Sequence, residues 1–326
     1  MRTKRIGIIA NPLAGAGYRA LEPIHREASG NDNVSFYITN HVRELSTTIL
    51  KLINAHHVEL LAVYGGDGTL HKVVDMLIYE KSRGNIAEIP PIASLNGGTM
   101  NAVFKWLGWE GEKSLDIFHK LTTTDLSTMP LRKLRPLQIS FYNANGNPEL
   151  RYDFVMTMGC VQDIIELYER DGKSPLNGLK HTLLGAMATL TNWPKSHSDV
   201  LKPFGTETFV DEKKLDTDET LCMFASVTDT LLFGIKPFIG NPASNQFYCL
   251  SYSMAPLTLG LMLPLELRAR WMPPIPQCFN QPVFTFRITP KADKRFFIDG
   301  EYFTAKGGYP LKLELGSEIE MVSHFD

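Results

Sequence analysis

The rhythm of apolar and polar positions changes once along the chain, near residue 130. Before that point short apolar runs alternate with helical spacing. Arg5–Asn11 (RIGIIAN), Val34–Asn40 (VSFYITN), Leu60–Tyr64 (LLAVY) and Pro91–Leu95 (PIASL) are β-rich runs with few polar interruptions. Between them Leu45, Ile49, Leu52 and Ile53 fall on one helical face, and Leu70, Val73, Val74 and Leu77 on another. Strands without a polar face, separated by helices, predict a mostly parallel sheet covered on both sides. Glu112–Thr123 (EKSLDIFHKLTT) predicts the helix that closes this three-layer α/β unit.

After Met129-Pro130 several runs alternate with period two, as in FTFRI and LKLEL, the mark of a half-buried antiparallel sheet. Strands are predicted at Leu134–Tyr142, Tyr152–Thr157, Thr208–Lys213, Leu221–Thr228, Phe247–Met254, Val283–Thr289, Arg295–Ile298, Leu311–Leu315 and Ile319–Val322. Helical patterns interrupt them at Val161–Arg170 and Leu176–Leu190. The expected division is an α/β domain over 1–129 and a β-rich antiparallel domain over 130–326. The tail after about residue 305 is free to pack back on the first.

Composition agrees with two domains: 326 residues exceed what one hydrophobic core comfortably serves. Lys and Arg number 33 against 35 Asp and Glu, so no global basic field is available for nucleic acid. No apolar segment reaches the ~18–20 residues of a membrane-spanning helix. Ile6–Ala10 is too short for a signal-peptide core, so a cytoplasmic or membrane-peripheral protein is expected. Cys160, Cys222, Cys249 and Cys278 form no C-x-x-C pair and read as free thiols in a reducing compartment. His56, His57 and His71 lack partners at metal spacing and read as surface or loop residues.

Candidate chemistry gathers where strands end, the edge at which parallel α/β sheets bind ligands. Asn11–Gly17 (NPLAGAG) follows the first strand; it reads as a phosphate cradle, a relaxed dinucleotide fingerprint or a plain turn. Gly65-Gly66-Asp67-Gly68-Thr69 follows the third strand. Its glycines clear room for an anion against the backbone, while Asp67 beside a phosphate needs a cation or a hydroxyl between them. Asp67 therefore reads as a metal ligand, a general base or a helix N-cap. Asn96-Gly97-Gly98-Thr99-Met100-Asn101 follows the fourth strand. No G-x-x-x-x-G-K-[ST], H-E-x-x-H or G-x-S-x-G motif occurs.

NPLAGAG, GGDGTLHKVVDML and GGTMNAVFKWLG, in that order, resemble the three consecutive motifs of the diacylglycerol kinase catalytic-domain family, which includes bacterial lipid kinases and sphingosine kinases. Asp299-Gly300-Glu301, followed by a strand pair within Pro310–Val322, resembles that family's C-terminal D-G-E element. The resemblance implies an NAD kinase/diacylglycerol kinase-like fold, a cleft between the domains, ATP and Mg²⁺. It also implies transfer of the γ-phosphoryl group to a hydroxyl of diacylglycerol, a sphingoid base or a related lipid, a step of phospholipid metabolism. Carried over residue by residue, Asn11, Gly15 and Gly65, Gly66, Asp67, Gly68 and Thr69 hold the phosphates. Thr39, Gly98 and Thr99 contact the nucleotide, and Asn101 orders the third loop. Glu301 is expected as the base for the acceptor hydroxyl, with Asp67 organising Mg²⁺.

Three departures bear on this. Ala102, an alanine as in sphingosine kinases, stands where diacylglycerol-specific members carry Asp. Lys105 stands where Arg is common. No Asp or Glu lies between Asp229 and Glu266, so the structural Mg²⁺ site of bacterial members is expected to be missing. They keep two alternatives open: a catalytically impaired nucleotide- or lipid-binding regulator of the same fold, and, on GGDGT alone, an NAD kinase-like enzyme. Met254–Leu265, with Trp271-Met272 behind it, reads as core, acyl pocket or membrane contact. The expected partners are a lipid alcohol, met by transient membrane contact or through a carrier, and no nucleic acid.

Overall fold

The computed structural model describes residues 4–15, 17–98, 102–171, 175–191, 193–198, 201–230, 236–259, 277–298 and 300–325. The chain forms two compact units, Met1–Pro136 with Ser317–Asp326, and Leu137–Gly316.

The first unit opens with β1 (Ile6–Ala10), α1 (Gly17–Ser29), β2 (Val34–Ile38), α2 (Leu45–Leu50) and β3 (Leu60–Gly65). It continues through α3 (Asp67–Ser82), β4 (Ile92–Asn96), α4 (Ala102–Trp106), α5 (Ser114–Thr123) and β5 (Leu131–Leu134). The second holds β6 (Leu137–Tyr142), β7 (Pro148–Asp153), β8 (Val155–Gly159), α6 (Cys160–Arg170), α7 (Pro175–Thr191), α8 (Lys195–Ser198) and β9 (Phe204–Val210). There follow β10 (Lys213–Lys214), β11 (Glu219–Thr220), β12 (Cys222–Ser226), β13 (Phe247–Tyr252), β14 (Cys278–Val283), β15 (Phe286–Pro290), β16 (Lys294–Ile298), β17 (Glu301–Ala305) and β18 (Leu311–Leu315). The chain then returns to the first unit as β19 (Ile319–Val322).

The sheet of the first unit runs β2-β1-β3-β4-β19-β5. All its pairings are parallel except that of β5 with β19. β1 and β3 are buried at every position, which is why they read as unbroken apolar runs. The strand order reverses at β1, so right-handed crossovers put α1 and α2 on opposite faces. α1 packs with α5, and α2 with α3. α3 sinks a wide face that includes His71, so that residue is buried rather than a surface or loop histidine. The C-terminal segment is fixed from below: Trp109 is fully buried and its Nε1 donates to the Val322 carbonyl at 3.1 Å.

The second unit is built from two antiparallel sheets. One runs β10-β9-β15-β18-β6-β7 with β11 beside β9; the other runs β14-β13-β12-β8-β16-β17. Alternation does the sorting. Leu137, Ile139, Phe286, Ile288, Leu311 and Leu313 face a core shared with Met156, Met158, Met223, Phe247 and Phe296 of the other sheet. The opposite face of that second sheet presents Cys222, Leu250 and Tyr252 to a further core with Cys160 and Ala188 of α6 and α7.

The boundary falls after Pro136, not at 129. The expected strand Leu134–Tyr142 breaks at Arg135-Pro136, and its first part stays in the first sheet. The returning tail begins at Ser317 rather than near 305. The expected Pro310–Val322 pair is divided, β18 joining one unit and β19 the other. Tyr152–Thr157 and Val283–Thr289 each span a junction between two strands. All four cysteines are free, with Cys160, Cys222 and Cys249 buried. Among the described residues no helix is long and apolar enough to cross a membrane.

Candidate functional site

β1, β3 and β4 are sheet neighbours that end on the same side, so the turns after them meet. Asn11 extends the ladder by one bond, its amide donating to the Tyr64 carbonyl at 2.9 Å. Its side chain then works in two directions. Oδ1 accepts from the Leu13 amide at 3.0 Å and shapes the turn, while Nδ2 donates to Thr69 Oγ1 at 3.0 Å. The first turn is thereby tied to the start of α3.

The second and third turns touch through glycine. A Cβ on Gly97 would lie 2.9 Å from the Gly65 nitrogen, and one on Gly65 would lie 2.4 Å from Thr69 Cβ. A Cβ on Gly66 would lie 3.2 Å from the Gly98 Cα. Larger residues would wedge the turns apart. α3 starts from Gly66, which has no side chain to cap it, so the first-turn amides of a 16-residue helix face this edge. Such an end favours an anion.

Asp67 has a specific place. Its Oδ2 accepts from the Ala102 amide at 2.8 Å and its Oδ1 from the Val103 amide at 3.3 Å. It caps the neighbouring helix α4 rather than its own. The bond at position 102 uses the backbone N–H, which Ala supplies as Asp would. Among the described residues no group of three His, Cys, Asp or Glu side chains is placed so as to hold a metal ion. One hard carboxylate with the balance supplied by phosphate oxygens is a donor set that fits Mg²⁺.

Thr39 is buried just beyond β2, and its amide donates to the Ala10 carbonyl at 2.9 Å. Gly15 is exposed, while Gly68 and Gly98 are half-buried on the same edge. Thr99 and Asn101 lie outside the described residues. In the second unit Glu301 opens β17 opposite Ile298, and Gly300 just before it takes φ +102°. Asp299 is outside the described residues. Met254 and Leu259 are buried and Leu257 is exposed; the rest of the Met254–Leu265 stretch, with Trp271-Met272, is not described.

Sequence reasoning missed three polar groups. Tyr64 reads as a core strand residue, yet its hydroxyl donates to the Gly17 carbonyl at 3.2 Å and its ring lies under Gly97. Burial pushes its pKa up, keeping the phenol protonated. Glu80 is buried near the far end of α3; hydrogen bonds from Ser46 and then Asn85 hold its carboxyl below the usual range. In the second unit His181 Nδ1 meets His197 Nε2 at 3.0 Å, and its Nε2 meets Asp171 at 3.1 Å. Burial, and then the His181 charge, lower the His197 pKa. The spacing of Asp171, just past α6, His181 of α7 and His197 of α8 carries no pattern by which to find them.

Solved structures place the fold. A diacylglycerol kinase from Bacillus anthracis str. Sterne superposes with a TM-score of 0.63 at 14% identity, covering 99% of this chain and 98% of that one. A "putative diacylglycerol kinase" from the same strain gives 0.67 at 17%, with the same coverage. The chain thus has a lipid-kinase-like fold. Residues 5–134, which hold all three glycine turns, match the family model of the diacylglycerol kinase catalytic domain. No curated protein is similar enough in sequence to match.

Proposed function

We propose that the protein is an ATP- and Mg²⁺-dependent kinase that phosphorylates a hydroxyl of a lipid. The observation that carries this reading is the bonded set of turns: Asn11 holds Thr69, Gly97 lies on Gly65, and Asp67 grips the amides of α4. Phosphoryl transfer asks mainly for positioning and for neutralised charge, and a rigid three-turn edge supplies the first.

In this reading Asn11, Gly15 and the Gly65–Thr69 turn hold the phosphates. Thr39, Gly98, Thr99 and Asn101 contact the rest of the nucleotide or order its loop. Asp67 holds Mg²⁺, which when bound offsets the charge on the phosphates. Glu301 accepts the proton of the lipid hydroxyl as its oxygen bonds to the γ-phosphorus; the bond from that phosphorus to the β-bridging oxygen breaks and ADP leaves. The lipid alcohol is met at a membrane surface or handed over by a carrier, and the protein works as a peripheral one.

The purified protein with labelled ATP and a panel of lipid alcohols provides the test. Transfer to one lipid class, lost in Glu301→Gln with ATP binding kept, is the expected result. A folded, ATP-binding protein that labels no lipid would sink the proposal and favour a regulator of the same fold.

A further inference from the structure

α7 has an unusual section. Its inward face, with His181, Gly185 and Ala188, is buried. The outward face is apolar too. Leu183 is 60% exposed and Leu190 50%, with Leu184 and Met187 half-buried between them. Positions 183, 184, 187 and 190 form one stripe, about 10 Å long from end to end at the helical rise. Trp193, 62% exposed, stands just past the helix. A helix that is apolar all round is ordinarily buried, and a continuous apolar stripe in water marks an interaction face.

The surrounding charge narrows the choice of partner. The sequence has no Asp or Glu from 172 to 198, while Lys173, Lys180 and Lys195 lie in that interval. Lys180 reaches back to Asp171 at 3.1 Å, and Lys195 is exposed beside Trp193. A second copy of this chain would set lysine against lysine in a two-fold pair. A leucine stripe with an exposed tryptophan, beside lysines whose one acidic partner among the described residues is Asp171, instead matches the boundary between acyl chains and anionic headgroups.

We infer that the outer face of α7, with Trp193 and Lys195, docks the protein on a bilayer containing anionic phospholipid. The purpose of docking rests on the lipid-acceptor reading above; the docking itself requires neither ATP nor turnover. Leu183, Leu190 and Trp193 enter to the depth of the headgroup boundary, and Lys195 pairs with phosphate at its surface.

The test is sedimentation with vesicles in the absence of ATP. One set is phosphatidylcholine alone; the other is phosphatidylcholine with phosphatidylglycerol. The full chain is expected to partition onto the second set, with a blue-shifted emission that Trp193→Phe removes. Leu183→Glu with Leu190→Glu is expected to weaken partition about tenfold or more, with unchanged thermal melting because both side chains already face water. Trp193→Ser is the second variant should that pair misfold, with the same expected loss. Lys195→Glu should cut partition several-fold at low salt only. The inference is overturned if the parent ignores both vesicle sets or if the leucine variants bind as the parent does. It is also overturned if the parent is a dimer in solution that these variants split, which would make the stripe a contact between copies. Loss of lipid phosphorylation with vesicle binding intact would count against the kinase reading alone.

Discussion

The two units use close-approach glycines in opposite ways. In the first, Gly65 and Gly97 bring two turns together at the end of a sheet whose neighbouring strands finish on the same side. In the second, Gly159 lies where a Cβ would sit 2.3 Å from the Leu221 carbonyl, with φ +89°, and the contact is between one strand and its neighbour. Parallel strands place consecutive turns on one edge, so missing side chains there let one turn close on the next. Antiparallel strands alternate their ends, so a missing side chain there only seats the ladder.

The largest expected effect separates these two uses. Gly97→Ala should destabilise by about 1–3 kcal/mol and abolish nucleotide binding, because the backbone it meets cannot yield. Gly159→Ala should cost at least as much stability, since its φ is also unsuited to alanine, yet leave ATP affinity in the folded fraction unchanged. Calorimetric titration with ATP at a temperature where both variants remain folded makes the comparison. Equal loss of affinity in both would erase the distinction.

Asp67→Asn should come next. An amide can still accept from Ala102 through one oxygen but brings no charge, so ATP affinity with Mg²⁺ should fall about tenfold to a hundredfold while stability changes by about 1 kcal/mol. Titrations with and without Mg²⁺ distinguish this from a purely structural cap, for which both would weaken alike.

A change of pH should loosen the units in order. His197 has a lowered pKa, so the unfolded chain takes up its proton first and the second unit loses stability as pH falls below the usual 6.5. Glu80 has a lowered pKa as well, but for a carboxylate the same sign acts further down. The stability it lends the first unit is complete above its usual 4.5 and drains away below that. Hydrogen exchange between pH 7 and pH 5 should therefore show α7 and α8 opening while α3 stays protected. Early loss of α3 would contradict the assignment.

The smallest effect concerns one bond between turns. Asn11→Ala removes its donation to Thr69, and should cost about 1 kcal/mol and weaken ATP binding a few-fold. Unaltered binding would mean that glycine contact alone holds the turns.

Much of the first unit was legible because its signals are local. A strand buried on both faces shows as an apolar run, and a turn that must lie against another shows as paired glycines, as at Gly65-Gly66 and Gly97-Gly98. What stayed hidden depends on partners far away in sequence. Nothing in IEMV tells that Met321 pairs with Ile92 rather than with the preceding strand. Tyr64 looked like core because its ring is core; only its hydroxyl belongs to the site. Asp67 was found by composition, but its hold on α4 needed coordinates, since a cap supplied from 35 positions away leaves no spacing rule. The α7 stripe was missed for a related reason: apolar positions on two faces of Leu176–Leu190 do not tell which face meets the core.

β19 carries one more consequence, which concerns synthesis rather than chemistry. The strand between β4 and β5 is contributed by residues 319–322, and Trp109 waits for the Val322 carbonyl. At about 5–20 residues per second, the ribosome adds the 184 residues (135–318) between the end of β5 at Leu134 and the start of β19 at Ile319 over roughly ten seconds or more. Through that interval the nascent first unit has a gap in its sheet and β4 exposes an open edge. The glycine turns on that sheet are complete in sequence long before the sheet is closed, so a translation product stopped short of residue 317 should hold all three turns and still be recognised by the cell as unfinished.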